Sequence, residues 1–146
     1  MVRAVGIDLG SKRIGVALSN SEGTLATPYE VVERTKDRQG DHRKLRLLVE
    51  EAEAEIVVVG LPLSLDGSLG PQARKYQAEA DELGRRMGVP VVVHDERFTT
   101  VTAERALMEA DLDGKARRKV IDKVAAAVML QDWLDGRAQQ ADTDDD

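Results

Sequence analysis

The chain has 146 residues, no cysteine and a formal charge of −6, with 33% charged and only 3% aromatic residues. That length suits one domain with little room for a second, and the composition is that of a globular α/β protein. The missing cysteine excludes disulfides, thiolate metal sites and thiol catalysis, and the longest apolar run, Val124–Leu130, is too short to cross a bilayer.

In chain order, Ala4–Leu9 and Ile14–Ser19 read as strands joined by a turn at Gly10-Ser11-Lys12-Arg13. A third strand is expected over Leu25–Val32, with Pro28 favouring a strand end or a sheet edge. Leu45, Leu48, Val49 and Ala52 recur at helical spacing and predict a helix over Lys44–Ala54. Glu55–Gly60 is a short β-branched run, expected to be a strand buried on both faces as parallel pairing produces. Pro62–Gly70 reads as a loop, and Pro71 suits the first turn of a helix reaching about Met87, where Gly88 ends it. Val89–His94 gives another buried strand, and Thr99 or Thr100 can cap a helix to about Ala110. A last helix is expected from about Ala116 to Leu134, and the acidic end after Gly136 is expected to be disordered. Short early connections suit antiparallel hairpins, and the later helical connections suit parallel crossovers. The expected architecture is an α/β fold: a mixed five-stranded sheet with helices on both faces, occupying residues 1–137, followed by a tail at 138–146. The first residues run straight into a strand-like segment, so no signal peptide is expected and the cytoplasm is the expected location.

The net charge is unevenly spread. Four acids lie in the last five residues, and without them the body carries −2. Its basic residues cluster at Lys36 and Arg38, at His42-Arg43-Lys44 with Arg46, at Arg85-Arg86, and at Lys115 to Lys119. Such patches can bind phosphate backbones, although a solvated helix face is their ordinary reading.

Three acids stand out. Alternation puts Ala4, Gly6 and Asp8 on one face of the first strand and Val5, Ile7 and Leu9 on the other. Asp8 therefore ends a small-residue face on a central strand, where an ionised carboxylate is costly unless paired, hydrogen-bonded or bound to a metal. Asp95 and Glu96 follow a buried strand, and the carboxyl ends of strands are where α/β sheets place their sites. Asp122 shares a helical stripe with Ala126, Met129 and Trp133, at the rim of the most apolar helix. Each acid has an ordinary alternative: a turn cap for Asp8, a pair with Arg97 for Glu96, a local pair with Lys119 or Lys123 for Asp122. His94 reads as a packing or hydrogen-bonding residue, and His42 has no constellation near it in sequence. Taken together, the three carboxylates form the all-oxygen set that hard divalent cations such as Mg²⁺ prefer. Two such ions ~4 Å apart can activate a water and stabilise a leaving oxygen in phosphodiester hydrolysis.

GIDLGSKRIGVA, GLPLSLDGSLGP, DERFTT and KVIDKVAAAVMLQDWL, in this order and spacing, resemble the YqgF family from about Arg3 to Leu134. Its members are described as Holliday-junction-resolvase-like proteins or pre-16S ribosomal RNA nucleases with an RNase H-like fold. The resemblance implies an acidic triad at Asp8, Glu96 and Asp122 that is both catalytic and metal-binding, holding Mg²⁺ or Mn²⁺, with two ions expected. It implies hydrolysis of phosphodiester bonds in a structured nucleic acid, either precursor ribosomal RNA or branched DNA, by a monomer or homodimer with no membrane partner. Lys12, Arg13, Arg97, Arg117, Arg118 and Lys119 then become candidates for nucleic-acid contacts, Arg97 also for orienting Glu96.

Two other classes compete. GIDLGSKRIGVA also resembles the first phosphate loop of actin-like and sugar-kinase ATPases, but those proteins close two such domains around a nucleotide and this length supplies one. The same fold can also bind nucleic acid without cutting it, because fold does not fix function. Within the nuclease reading, ribosomal RNA maturation is favoured by the resemblance. A junction resolvase would need paired sites in a dimer, and no dimer seam is evident in the sequence.

Overall fold

The computed structural model describes residues 2–62, 68–96 and 114–144, with the side chains of 115–117 and 139–144 left aside. Eight elements follow in order: β1 (Ala4–Leu9), β2 (Arg13–Ser19), β3 (Ala26–Glu33), α1 (Arg38–Glu51), β4 (Ile56–Leu61), α2 (Pro71–Arg86), β5 (Val91–Asp95) and α3 (Lys115–Asp144). The expected helix ending near Ala110 and Arg97 itself lie outside the described residues.

The strands form one sheet in the order β3-β2-β1-β4-β5. The two hairpins at the start pair antiparallel, and β4 joins β1, then β5 joins β4, in parallel. β1 is thus central, and all six of its residues are buried. Pro28 sits in the edge strand β3 beside a register irregularity between Val16 and Ala17, a position that tolerates its missing N–H.

Helices cover both faces. Val5, Ile7 and Leu9 of β1 and Val57 and Val59 of β4 pack with Leu45 and Val49 of α1 and Tyr76 and Leu83 of α2. Ala4, Ala17 and Val58 pack on the other face with Ala126, Met129 and Leu130 of α3. The alternation in β1 therefore sends large side chains toward two helices and small ones toward the third. A Cβ on Gly6 would come within 2.8 Å of the Leu130 Cβ, so its absence sets how closely α3 lies on the sheet. Each fully buried Leu or Val in these layers contributes roughly 1.5–3 kcal/mol.

Two elements differ from the sequence expectation by more than a residue or two. α1 starts at Arg38 rather than Lys44, with the Asp37 side chain capping the Gly40 N–H at 3.0 Å. Its first turns carry polar residues, Asp41 and His42, that are buried through hydrogen bonds rather than apolar packing, so apolar spacing does not announce them. α3 extends ten residues past Leu134 to Asp144, through most of the segment expected to be disordered. Gln139, Gln140 and the alanines around them have good helix propensity.

Candidate active site

The acids of β1, of the end of β5 and of α3 arrive on one face of the sheet, and glycines decide how they arrive. Asp8 pairs across β1–β2 with Gly15. On its other side, Gly60 follows Val59, the partner of Ile7, and so flanks Asp8 on β4. A Cβ on Gly15 would overlap the backbone carbonyl oxygen of Asp122. A Cβ on Gly60 would overlap the carboxylate of Glu96 and reach within 3.0 Å of Met129. Each glycine beside Asp8 therefore makes room for one of the other two acids. Neighbouring strands lie only about 4.8 Å apart, which brings the three residues into one neighbourhood.

Burial grades them. Asp8 is 6% exposed and Glu96 7%, and the Glu96 N–H bonds the Leu61 carbonyl at 3.0 Å, extending the β4–β5 ladder by one residue. The Asp122 side chain is more open, and Arg13 Nε donates to its Oδ2 at 2.6 Å, a half-buried ion pair. This replaces the local pair with Lys119 or Lys123 weighed from sequence. Lys119 instead reaches Glu33 of β3 at 3.2 Å. Among the described residues, no group of three or more His, Cys, Asp or Glu side chains is arranged to hold a metal ion. The donor chemistry nonetheless fits a hard divalent ion: Asp8 and Glu96 are buried, Asp122 is more open, and every donor is an oxygen.

The candidate nucleic-acid contacts divide. Arg13 is spent on Asp122 in this structure, Lys12 and Arg118 are exposed, and Lys119 is partly exposed. Arg97 lies outside the described residues, as does the side chain of Arg117. His94 is a hydrogen-bonding residue, its Nε2 lying 2.6 Å from Asp132 Oδ2.

One constellation escapes the sequence reading. His42, which has nothing near it in sequence, is 1% exposed and places Nε2 2.8 Å from Glu79 Oε2. Arg34 grips the same carboxylate with both terminal nitrogens, at 2.9 and 2.7 Å. Arg86 Nη1 lies 2.7 Å from His42 Nδ1; an arginine only donates, so Nδ1 accepts and the ring proton sits on Nε2, facing Glu79. Burial alone would raise the Glu79 pKa, but the hydrogen bonds from His42 and Arg34 outweigh it and hold the carboxyl at about 2. Arg34 also donates from Nε to the Gly10 carbonyl at 2.6 Å, and its N–H bonds the Lys12 carbonyl at 2.9 Å. The buried network thus braces the turn carrying Lys12 and Arg13, just beyond Asp8. A signal existed: His42, Leu45 and Val49 share one helical stripe, as do Tyr76, Glu79 and Leu83.

Among solved structures, the fold is similar to Thermus thermophilus RuvC in complex with a Holliday junction substrate, with a TM-score of 0.57 at 17% identity over 94% of this chain and 96% of that one. That likeness makes the architecture RNase H-like. A protein named "Putative pre-16S rRNA nuclease" from Mycobacterium sp. strain KMS is 50% identical over 136 residues, 92% of this chain and 80% of the relative. One of the same name from Desulforudis audaxviator is 42% identical over 142 residues, 97% of this chain and the whole of the relative. The profile of the RuvX family, described as Holliday junction resolvase, matches residues 2–136. The chain belongs to the RuvX family, also called YqgF.

Proposed function

We propose that this protein is a metal-dependent nuclease that hydrolyses phosphodiester bonds in precursor 16S ribosomal RNA, with Asp8, Glu96 and Asp122 as its acidic triad. The observation that carries this is the glycine pair flanking Asp8: Gly15 and Gly60 give up side chains where Asp122 and Glu96 come in. A sheet has no packing reason to collect acids beside its central strand. The names of the relatives supply the substrate.

Asp8, Glu96 and Asp122 would hold Mg²⁺ or Mn²⁺, one ion or two, which when bound supplies charge stabilisation and a water of lowered pKa. The remaining work belongs to this chain. Asp8 offers its carboxylate from the most rigid strand, so it loses little freedom on binding. Arg13 holds Asp122 in place and, on the same turn as Lys12, faces an incoming phosphate. Arg97 orients Glu96 or the phosphate. Arg117, Arg118 and Lys119, one turn before Asp122, contact the backbone and so position the substrate without reading its sequence. We place the protein in the cytoplasm; no helix among the described residues is long and apolar enough to cross a membrane.

The test is cleavage by purified protein with Mn²⁺ or Mg²⁺, offering precursor 16S RNA beside a four-way DNA junction, with Asp8→Asn as control. RNA cut by the wild type and spared by Asp8→Asn supports the proposal. Equal cutting by the variant, or no cutting at all, sinks it and favours a binding module. The family description favours a second reading, a junction resolvase; junction cleavage by a dimer in sizing experiments would establish that instead.

A further inference from the structure

Two basic clusters that lie forty residues apart in sequence meet on the sheet face opposite α3. A cavity of about 350 Å³ opens between α1 and α2, lined by Gln39, His42, Arg43, Arg46, Arg85 and Arg86. Four of its six lining residues are arginines, and none is an acid.

Three of the guanidiniums have acidic partners, but none of these acids lines the cavity. Arg43 reaches Asp37 at 3.5 Å, Arg46 reaches Glu50 at 3.0 Å, and Arg86 reaches Glu82 at 3.7 Å. The first two pairs are exposed and worth little. Arg85 takes part in no ion pair among the described residues. Two of the walls are fixed rather than floppy. Arg46 Nη1 donates to the Arg86 carbonyl at 3.1 Å, which ties α1 to the end of α2. Arg86 is anchored on the buried His42, itself locked to Glu79. Four like charges converging on one hollow repel one another, and an anion in that hollow turns the repulsion into attraction.

The lining also says which anion. It has no Phe, Tyr or Trp on which a base can stack and no aliphatic side chain for a hydrophobic ligand; its one aromatic ring, His42, is buried and bonded to Glu79 and Arg86. What it offers is planar guanidinium forks, whose geometry matches phosphate oxygens two at a time. The volume exceeds what a single small oxyanion fills and suits two adjacent phosphates.

We propose that this α1–α2 cavity is a second phosphate-binding site, taking consecutive phosphate groups without regard to base. It is distinct from the acidic site. α2 links the C-terminal end of β4 to the N-terminal end of β5, so Arg85 and Arg86 stand at the opposite end of the sheet from Glu96. α2 also packs on the face opposite α3. Its sixteen residues alone span roughly 24 Å. A phosphate held there belongs either to a distant stretch of a nucleic-acid backbone or to a free polyphosphate compound, and the two sources can be separated.

The experiment titrates the full chain, in EDTA, with pyrophosphate and with a short fluorescent single-stranded RNA. Working without metal keeps the outcome independent of cleavage and of the triad. The variant is R43E/R85E, two exposed positions outside the His42–Glu79 network, with thermal unfolding confirming the fold. Expected for the wild type are amide shift changes over residues 39–46 and 85–88 on adding pyrophosphate. In the variant these changes are lost, RNA binds about tenfold more weakly, and the salt dependence of binding between about 50 and 200 mM flattens by about 1.4 in slope, the loss of two phosphate contacts. Loss of pyrophosphate binding with RNA binding unchanged supports the site and assigns it to free polyphosphates. The proposal is overturned if the variant binds both ligands as the wild type does. It is equally overturned if pyrophosphate fails to bind, or shifts only the residues around Asp8.

Discussion

On opposite faces of one sheet, the molecule treats two sets of acids differently. Between α1 and α2, Glu79 is met by His42 and by both arms of Arg34, so one carboxylate faces a built-in countercharge. Beside β1, Asp8, Glu96 and Asp122 are drawn into one neighbourhood by glycines that yield them space. The first arrangement spends basic residues to neutralise an acid. The second concentrates acids, with Arg13 paired to Asp122. A buried acid surrounded by its own cations points to architecture; buried acids gathered together point to a ligand.

If that contrast is right, the largest effect on stability comes from Glu79→Gln. Breaking a buried charge network from one side leaves Arg34 half-buried without its partner and should cost about 3–5 kcal/mol, read as a fall in the denaturant midpoint at constant slope. The same variant loosens the Lys12–Arg13 turn through Arg34, so cleavage should fall as well. A stability within 1 kcal/mol of wild type, on the scale of ordinary surface changes, would dissolve the distinction between the two regions. Asp8→Asn should act chiefly on activity: at least about a 100-fold loss of cleavage, the scale of removing a directly acting polar group.

Acid sharpens the comparison in the wild type. The folded Glu79 carboxyl titrates at about 2 against an ordinary 4.5, so it surrenders its proton more readily in the folded chain. Its stabilisation is complete above about pH 4.5 and drains away as pH falls toward 2. The span corresponds to about 3 kcal/mol, and Glu79→Gln should flatten the stability curve over that window. The glycines come next. Gly15→Ala forces a methyl into the Asp122 backbone, which cannot retreat, and should cost about 1–3 kcal/mol. Gly60→Ala meets mainly the far end of the Glu96 side chain, so cleavage should suffer more than folding. Comparing melting temperature with kcat for the two variants checks this. The smallest effect belongs to Lys119→Ala. Its exposed pair with Glu33 is worth under about 1 kcal/mol, yet the salt slope of nucleic-acid binding should drop by about one if Lys119 meets a phosphate.

The candidate site is more legible in the sequence than the network opposite it. Asp8 interrupts an apolar strand, Glu96 follows another, and Asp122 borders the most apolar helix, so each acid violates a local pattern. The sheet is legible for the same reason, since a period of two or an unbroken β-branched run marks each strand. The network leaves no such mark. His42 and Glu79 sit where helices of this kind carry Leu or Ala, and charged residues on helices ordinarily read as solvent-facing. Their place on the apolar stripes of α1 and α2 is the one sequence signal, and it does not name their partners: burial depends on Arg34 and Arg86 arriving from elsewhere in the chain. The early start of α1 is hidden likewise, because hydrogen bonds through Asp41 and His42 stand in for the apolar spacing that announces a helix. The arginine cavity is assembled from two basic clusters that each look like ordinary solvated surface.

The ion pair between Arg13 and Asp122 joins residues 109 positions apart, and this fixes when the site can exist during synthesis. The hairpins β1–β2–β3 pair locally and can form early in translation, but Asp122 arrives only with α3, the last of the described elements. If Asp8, Glu96 and Asp122 form the proposed acidic set, the growing chain lacks that set until the helix docks and should not cleave RNA before then. A chain stopped before Lys115 should therefore be inert toward RNA even with Mn²⁺ in excess. On this topology, the docking of α3 is the event that would arm the proposed site.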